Sequence, residues 1–302
     1  VSVDVEPVPG ASDGLGWRTR MDFGVDAAGR VGLRKHRSHD LELVQRCLIA
    51  APGVEAVGVE GRVWPGAAGV AVVASPDGEQ RVVSVTSRRG GVRDLPSFDA
   101  GLVVDGRPRR HPHGVRHVVL GRSFEVAAGV FWQVHPGAAE TIARAVLDGL
   151  EPRPGDHVVD LYAGAALFAA LLGDAVGPTG SVLAVDGDKR TCADAARNTA
   201  DQPHVKVRTA RVDGAWVAGR VGRPDLVVLD PPRAGAGRGV TESLAALRPR
   251  RMAYVACAPA SFARDLRILS DAGWMMTSLR AFDLFPMTEH VELVALVEPP
   301  ES

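Results

Sequence analysis

Cysteine is scarce in this 302-residue chain, and Cys47, Cys192 and Cys257 stand far apart. Three distant thiols make neither a disulfide framework nor a CxxC metal site, so a stapled secreted scaffold is excluded and a reducing cytoplasm is the expected location. No apolar run approaches the roughly 20 residues that cross a bilayer, and no membrane association is expected. The opening, Val1-Ser2-Val3-Asp4-Val5-Glu6, lacks the basic and apolar regions of a signal peptide. It also begins with Val rather than Met, which suits a natural N-terminus that extends further. Lysine is rarer still: Lys35, Lys189 and Lys206 are the only three among 35 basic residues. The rest are arginine, which binds phosphate bidentately and stacks on bases. A GC-rich genome would give the same bias. The net charge of −1 excludes a chain that grips nucleic acid through its global charge.

What is present divides the chain in two. Its 46% hydrophobic content supports a substantial core. Residues 1–125 carry 17 Lys and Arg against 15 Asp and Glu, whereas residues 126–302 carry 18 against 21. The first part reads as a β-rich N-terminal domain of short strands and turns. Arg18 to Val25 and Val31 to Arg34 flank Asp26-Ala27-Ala28-Gly29, and Gly69 to Ala74 and Gln80 to Thr86 flank Ser75-Pro76-Asp77-Gly78. Asp40 is expected to cap a helix running to about Ala50, before Pro52-Gly53. Basic clusters at Arg34-Lys35-His36-Arg37, Arg88-Arg89 and Arg107-Pro108-Arg109-Arg110-His111 are either solvated surface or an RNA footprint, and composition leaves both open. From about residue 138 apolar runs alternate with helical stretches, the pattern of a parallel α/β sheet, and residues 126–302 form the second expected domain.

Two features lie at the ligand-binding edge of that sheet. Val158-Val159-Asp160-Leu161-Tyr162-Ala163-Gly164-Ala165-Ala166 is a strand feeding a small-residue turn into a helix, which brings backbone N–H groups to a ligand. The next strand ends at Asp186, placed to accept hydrogen bonds from ribose hydroxyls. This pair suits NAD and S-adenosylmethionine equally. A later strand ends in Asp230-Pro231-Pro232-Arg233, where the prolines force the chain to turn and hold Asp230 at the pocket mouth. Another brings Cys257 to the same edge, within Tyr254-Val255-Ala256-Cys257-Ala258-Pro259.

Taken together, these residues resemble the RNA uracil-C5 methyltransferases. The motifs carrying the likeness are Phe131-Trp132-Gln133-Val134-His135, Asp160-Leu161-Tyr162-Ala163-Gly164, Asp230-Pro231-Pro232-Arg233, Ala256-Cys257-Ala258-Pro259 with Ala263-Arg264-Asp265-Leu266, and Phe285-Pro286-Met287-Thr288-Glu289-His290-Val291-Glu292. The resemblance runs from about Trp17 to Val297. It implies a Rossmann-like S-adenosyl-L-methionine methyltransferase domain and, as partner, ribosomal or transfer RNA with its target uridine looped or flipped out. It also implies Cys257 as nucleophile, Glu292 as base in preference to Glu289, and Gln133, Tyr162, Asp186 and Asp230 as cofactor contacts. The chemistry independently needs such a pair. Uracil C5 is too weak a nucleophile unaided, so a thiolate must add at C6, and a base must later take the C5 proton.

Four positions depart from the family pattern. Ala166 replaces a glycine, His135 and Ala258 replace asparagines, and Arg211 stands near an expected polar cofactor contact, for which Asp213 could substitute. Cys47 matches one member of an iron–sulfur quartet whose partners are missing, so no iron–sulfur cluster is expected. Two other functions fit parts of this pattern: an amino-methyltransferase using Asp230-Pro231-Pro232, and a catalytically weakened RNA-binding relative.

Overall fold

The computed structural model describes residues 3–11, 13–35, 38, 40–92 and 94–300. His36 and Arg37 of the first basic cluster lie outside them. Two compact units emerge, and each draws on separate stretches of chain: Val1–Val8, Val119–Arg122 and Gly137–Ser302 in one, Pro9–Val118 and Ser123–Pro136 in the other.

The chain opens with β1 (Val5–Pro7), which belongs to the first of these units. The β-rich unit is built on β2 (Arg20–Val25), β3 (Val31–Arg34), β4 (Leu41–Leu43), the short helix α1 (Pro52–Glu55), β5 (Ala67–Ala74), β6 (Arg81–Ser87), β7 (Gly101–Val104) and β8 (Arg107–Arg110). Its seven strands line up as β4-β3-β2-β5-β6-β7-β8, and β9 (Gly114–Val119) pairs separately with β10 (Arg122–Ala127). Both expected hairpins form. In the first turn Asp26 Oδ1 accepts from the Ala28 and Arg30 amides at 2.9 and 2.8 Å, a side-chain substitute for backbone turn bonds. Buried Met21, Phe23, Val70, Val72 and Trp64 fill the core, and Cys47 packs there as a small hydrophobe.

One expected element is wrong. No helix spans Asp40 to Ala50; instead β4 pairs antiparallel with β3, Leu41 opposite Arg34 and Leu43 opposite Gly32. Ladder pairing outweighs the weak helical preference of so short a segment. Pro52 then starts α1 rather than ending a helix, since its missing N–H costs nothing in a first turn.

The larger unit adds α2 (Ala138–Leu150), β11 (His157–Leu161), α3 (Leu167–Val176), β12 (Ser181–Asp186), α4 (Lys189–Asn198), β13 (Val205–Thr209), α5 (Gly214–Arg220), β14 (Leu226–Leu229), α6 (Arg238–Leu247), β15 (Arg251–Ala256), α7 (Pro259–Asp271), β16 (Met275–Asp283) and β17 (Glu292–Glu298). The sheet order is β1-β16-β17-β15-β14-β11-β12-β13. β13, β12, β11, β14 and β15 run parallel, whereas β17 is antiparallel to both β15 and β16. Strands such as Leu226-Val227-Val228-Leu229 are buried throughout because helices cover both faces, so they read as unbroken apolar runs. β1 adds to the edge beside β16, with Glu6 bonded to Arg280 at 2.8 and 2.6 Å.

Candidate active site

Sheet register brings the candidate residues to one edge. Leu161 pairs with both Val185 and Leu229, so the next residues along, Tyr162, Asp186 and Asp230, fall at one level at the carboxyl ends of β11, β12 and β14. Ala256 pairs with Leu293 in the antiparallel β15–β17 ladder. Continued by one residue, that register sets Cys257 opposite Glu292. Glu289 is exposed, three residues before this point, while Glu292 is 3% exposed.

The turn after β11 is tight and built from left-handed residues. Tyr162, Gly164 and Ala166 have φ of 62°, 56° and 69°. Ala166 occupies the conformation for which the family pattern supplies glycine, at a cost of about 1 kcal/mol or more, and is fully buried at the start of α3. Asp186 stiffens this turn by accepting from the Gly164 amide at 3.1 Å and the Asp188 amide at 2.9 Å. Its carboxylate keeps free lone pairs, since each oxygen can accept two bonds. Beneath the turn, fully buried Asp160 accepts from the Ala169 amide through Oδ2 at 2.9 Å, and its Oδ1 has no partner among the described residues. Burial holds this carboxyl well above the usual range, reinforced by the negative charges of Asp230 and Asp186.

Desolvation also dominates at the thiol end. It pushes Glu292 up to about 9, with the Asp230 charge adding to it, and Asp230 itself up to about 7. The Cys257 thiol is raised by burial and then by the Glu292 and Asp230 charges; the Arg233 charge opposes them. Unliganded, this edge therefore holds a thiol and a neutral Glu292 at neutral pH. Glu292 binds its proton far more tightly folded than in an unfolded chain, where a glutamate titrates near ~4.3. The contribution of Glu292 to stability must then fall as pH rises from about 4 to about 9. Glu292→Gln is expected to flatten that loss, so its melting temperature should exceed that of the wild type at pH 9 and approach it at pH 5. Equal pH slopes in scanning calorimetry of the two proteins would contradict this burial.

Other expected positions have different fates. Asp213 caps α5 by accepting from the Trp216 amide at 2.9 Å, and Arg211 is exposed. Ala258 is the N-cap of α7 and offers no side-chain acceptor, where asparagine would be a strong cap. Gln133 and His135 belong to the β-rich unit. There His135 is buried and stacked 5.9 Å from Trp17, and the carbonyl of neighbouring Val134 is held by the Thr19 amide and hydroxyl, both at 2.8 Å. Sequence reasoning missed two contacts. The Arg233 guanidinium lies 3.2 Å from His290 Nε2, and the Tyr254 hydroxyl donates to buried Asp265 at 2.8 Å. Arg233, His290 and Asp265 are visible as motif letters, and nothing in their spacing reveals who touches whom.

Comparison with solved structures identifies the fold. A tRNA (uracil-54, C5)-methyltransferase of Pyrococcus abyssi, solved with S-adenosyl-L-homocysteine, matches with a TM-score of 0.77 at 22% identity, over 98% of this chain and 79% of its own. The fold is the expected Rossmann-like methyltransferase α/β domain with a smaller β-rich companion. In sequence, the model of the tRNA (uracil-5-)-methyltransferase family matches residues 223–299. A protein of Streptomyces coelicolor, named as an uncharacterized RNA methyltransferase, is 46% identical over 94% of this chain and 64% of its own length. One of Bifidobacterium longum, named likewise, is 33% identical over 98% of this chain and 70% of its own. The chain belongs to this family of RNA methyltransferases. It spans about 64% of the length of the Streptomyces coelicolor relative.

Proposed function

We propose that this protein transfers a methyl group from S-adenosyl-L-methionine to C5 of a uridine in transfer or ribosomal RNA through a Cys257–C6 adduct. The observation that carries the reading is the register that sets Cys257 opposite buried Glu292, at the sheet edge that also bears Tyr162, Asp186 and Asp230. The cofactor fits this edge. Asp186 has lone pairs left for ribose hydroxyls, the left-handed turn bares its backbone, and Asp160 has an unpartnered buried oxygen directly below. Tyr162 and Asp230 complete the proposed contacts of this edge, and Gln133 remains a cofactor contact implied by the resemblance. When bound, S-adenosyl-L-methionine supplies an electrophilic methyl on a sulfonium.

The chain's own residues do the rest. Asp230 titrates near neutrality, so a cation beside it favours its charged form. The Cys257 thiol gives up its proton to solvent, the resulting thiolate forms a bond to C6, and the C5–C6 π pair shifts toward the C4 carbonyl, making C5 nucleophilic. After C5 has gained the methyl, Glu292, in the carboxylate form left once its own proton has gone to solvent, takes the C5 proton. That electron pair restores the double bond, and the C6–S bond breaks to return the thiolate.

Tritium release from RNA labelled at uridine C5 tests the reading, because only substitution at C5 expels that atom. Methyl transfer without tritium release would point instead to an exocyclic amine. RNA binding without either would mark a catalytically silent relative.

The arginines of β8 in the β-rich unit fall into two kinds. β8 is an exposed edge strand. Arg110 is committed within it, donating to the Ala100 and Phe98 carbonyls at 2.8 and 3.0 Å and lying 4.7 Å over the Phe98 ring. Arg107 and Arg109 are exposed near Asp105, whose carboxyl is lowered first by its Ser87 hydrogen bonds and then by these two charges. The double variant Arg107→Ala/Arg109→Ala is expected to reduce the slope of log K against log salt for RNA binding by about 0.7–0.9 per lost phosphate contact. An unchanged slope would leave β8 as an edge kept soluble by its charges.

A further inference from the structure

The loop after Asp230 is gripped by the strand and helix that flank Cys257. Four backbone groups in residues 233–237 each find a side chain from β15 or α7. Ser261 Oγ donates to the Arg233 carbonyl at 2.8 Å, and Arg264 Nη2 donates to the Ala234 carbonyl at 2.8 Å. The Tyr254 hydroxyl accepts from the Ala236 amide at 3.1 Å, and Asp265 Oδ2 accepts from the Gly237 amide at 3.1 Å. These grips are joined to one another. Tyr254 donates to Asp265 at 2.8 Å, and Arg264 donates to Asp265 Oδ1 at 2.9 and 2.7 Å. Asp265 is fully buried and Tyr254 is 2% exposed, so both belong to a sealed hydrogen-bonded network rather than a solvated one.

The loop's own sequence is fitted to this grip. Gly235 has φ of 78°, and a Cβ there would meet Asp265 Oδ2 at 2.5 Å and Arg264 Nη2 at 2.6 Å. Only glycine lets the backbone lie this close. The residue so held at its main chain is Arg233, whose exposed side chain is also held at its far end, 3.2 Å from His290 Nε2. A guanidinium only donates, so His290 accepts there. An arginine side chain left free would keep the rotamer freedom that this contact removes.

We propose that Tyr254, Ser261, Arg264 and Asp265 are positioning residues for Arg233, and that together with His290 they hold its guanidinium where the C4 oxygen of the pyrimidine gains negative charge. The inference rests on the covalent reading above. As the Cys257 sulfur bonds to C6, the C5–C6 π pair moves into the C4–C5 bond and the C4 carbonyl π pair onto O4. Arg233 donates a hydrogen bond to that oxygen without giving up a proton, and the bond weakens again when the carbonyl reforms. A donor fixed in advance costs no reorganisation as charge develops. The same guanidinium is a positive charge that favours the Cys257 thiolate, against the carboxylates that oppose it. The Ala-Arg-Asp-Leu motif at 263–266 thereby acquires a purpose: it ties the helix that follows the nucleophile to the loop that carries the cation.

A double-mutant cycle tests this, read as the single-turnover rate of covalent adduct formation with total RNA from bacteria grown on 5-fluorouracil, in which C5 carries fluorine. Arg233→Ala should slow adduct formation by about 10²–10³-fold, the usual effect of losing one such donor. Tyr254→Phe keeps the ring against Phe262, 5.4 Å away, but loses both hydroxyl bonds; it should slow the same step by roughly tenfold. Calorimetric affinity for S-adenosyl-L-homocysteine should stay within about twofold in both. The deciding result is non-additivity: Tyr254→Phe added to Arg233→Ala should slow the reaction no further. Should Tyr254→Phe fail to fold, Ser261→Ala, on a half-buried residue, carries the same expectation. Effects that multiply across the two sites, or a Tyr254→Phe protein that reacts at the wild-type rate, would overturn the inference and leave the network a plain loop anchor. A wild-type protein giving neither adduct nor tritium release is a different result, which overturns the covalent reading and this inference with it.

Discussion

Asp186→Ala is expected to weaken S-adenosyl-L-methionine binding by about 100-fold or more. Two charge-assisted hydrogen bonds to ribose hydroxyls together contribute about 3 kcal/mol, and 1.4 kcal/mol is tenfold in affinity. The structure adds a second consequence. Asp186 also accepts from the Gly164 and Asp188 amides, so alanine frees two turn amides as well as the proposed ribose site. Asp186→Asn separates these effects. Its amide oxygen can still accept from one of the two backbone donors, but it has lost the charge and one acceptor. Both variants should lose binding in calorimetric titration, with Asp186→Asn closer to the wild type in melting temperature. Unchanged affinity in Asp186→Asn would move the ribose contact elsewhere on the edge.

The legibility of this turn in the sequence has a physical cause. Parallel strands buried on both faces read as apolar runs ended by polar residues, and ligands gather where those runs end. Asp160, Tyr162, Asp186, Asp230 and Cys257 stand in order along the chain at such ends, and the alternation from about residue 138 is realised in the elements from α2 onward. Segments governed by pairing with a distant partner could not be read. Leu41-Glu42-Leu43 has nothing in its own letters to announce β4, and β1 docks beside β16, near the other end of the chain. The interleaving of the two units, with Val1–Val8 joining the C-terminal one, leaves no trace in composition. At the site, residue types were legible and bonds were not. The Tyr254–Asp265 hydrogen bond joins residues 11 apart through a buried network that no periodicity encodes.

Glu292→Gln is expected to lower turnover by about 10³-fold or more while leaving the first half of the reaction intact. Burial gives the reason for that split. Glu292 is held up to about 9, so the resting protein carries it neutral, and glutamine reproduces that neutral form in size and hydrogen bonding. Folding, RNA binding and addition of Cys257 to C6 should therefore survive. What glutamine cannot do is accept the C5 proton once the methyl is in place. The methylated adduct then has no route to release, and it should accumulate as a slow band on denaturing gels carrying the labelled methyl group. Adding Cys257→Ala should abolish the band, since no sulfur remains to hold the RNA. The same burial sets a pH dependence: a base that must lose its proton near 9 should make wild-type turnover climb as pH rises from 6 to 9. The residual rate of Glu292→Gln should not follow that climb. Free turnover by Glu292→Gln would reassign the base to Glu289 or a bound water. Undiminished activity with no adduct in any variant, Cys257→Ala included, would sink the covalent mechanism and favour transfer to an exocyclic amine held by Asp230-Pro231-Pro232.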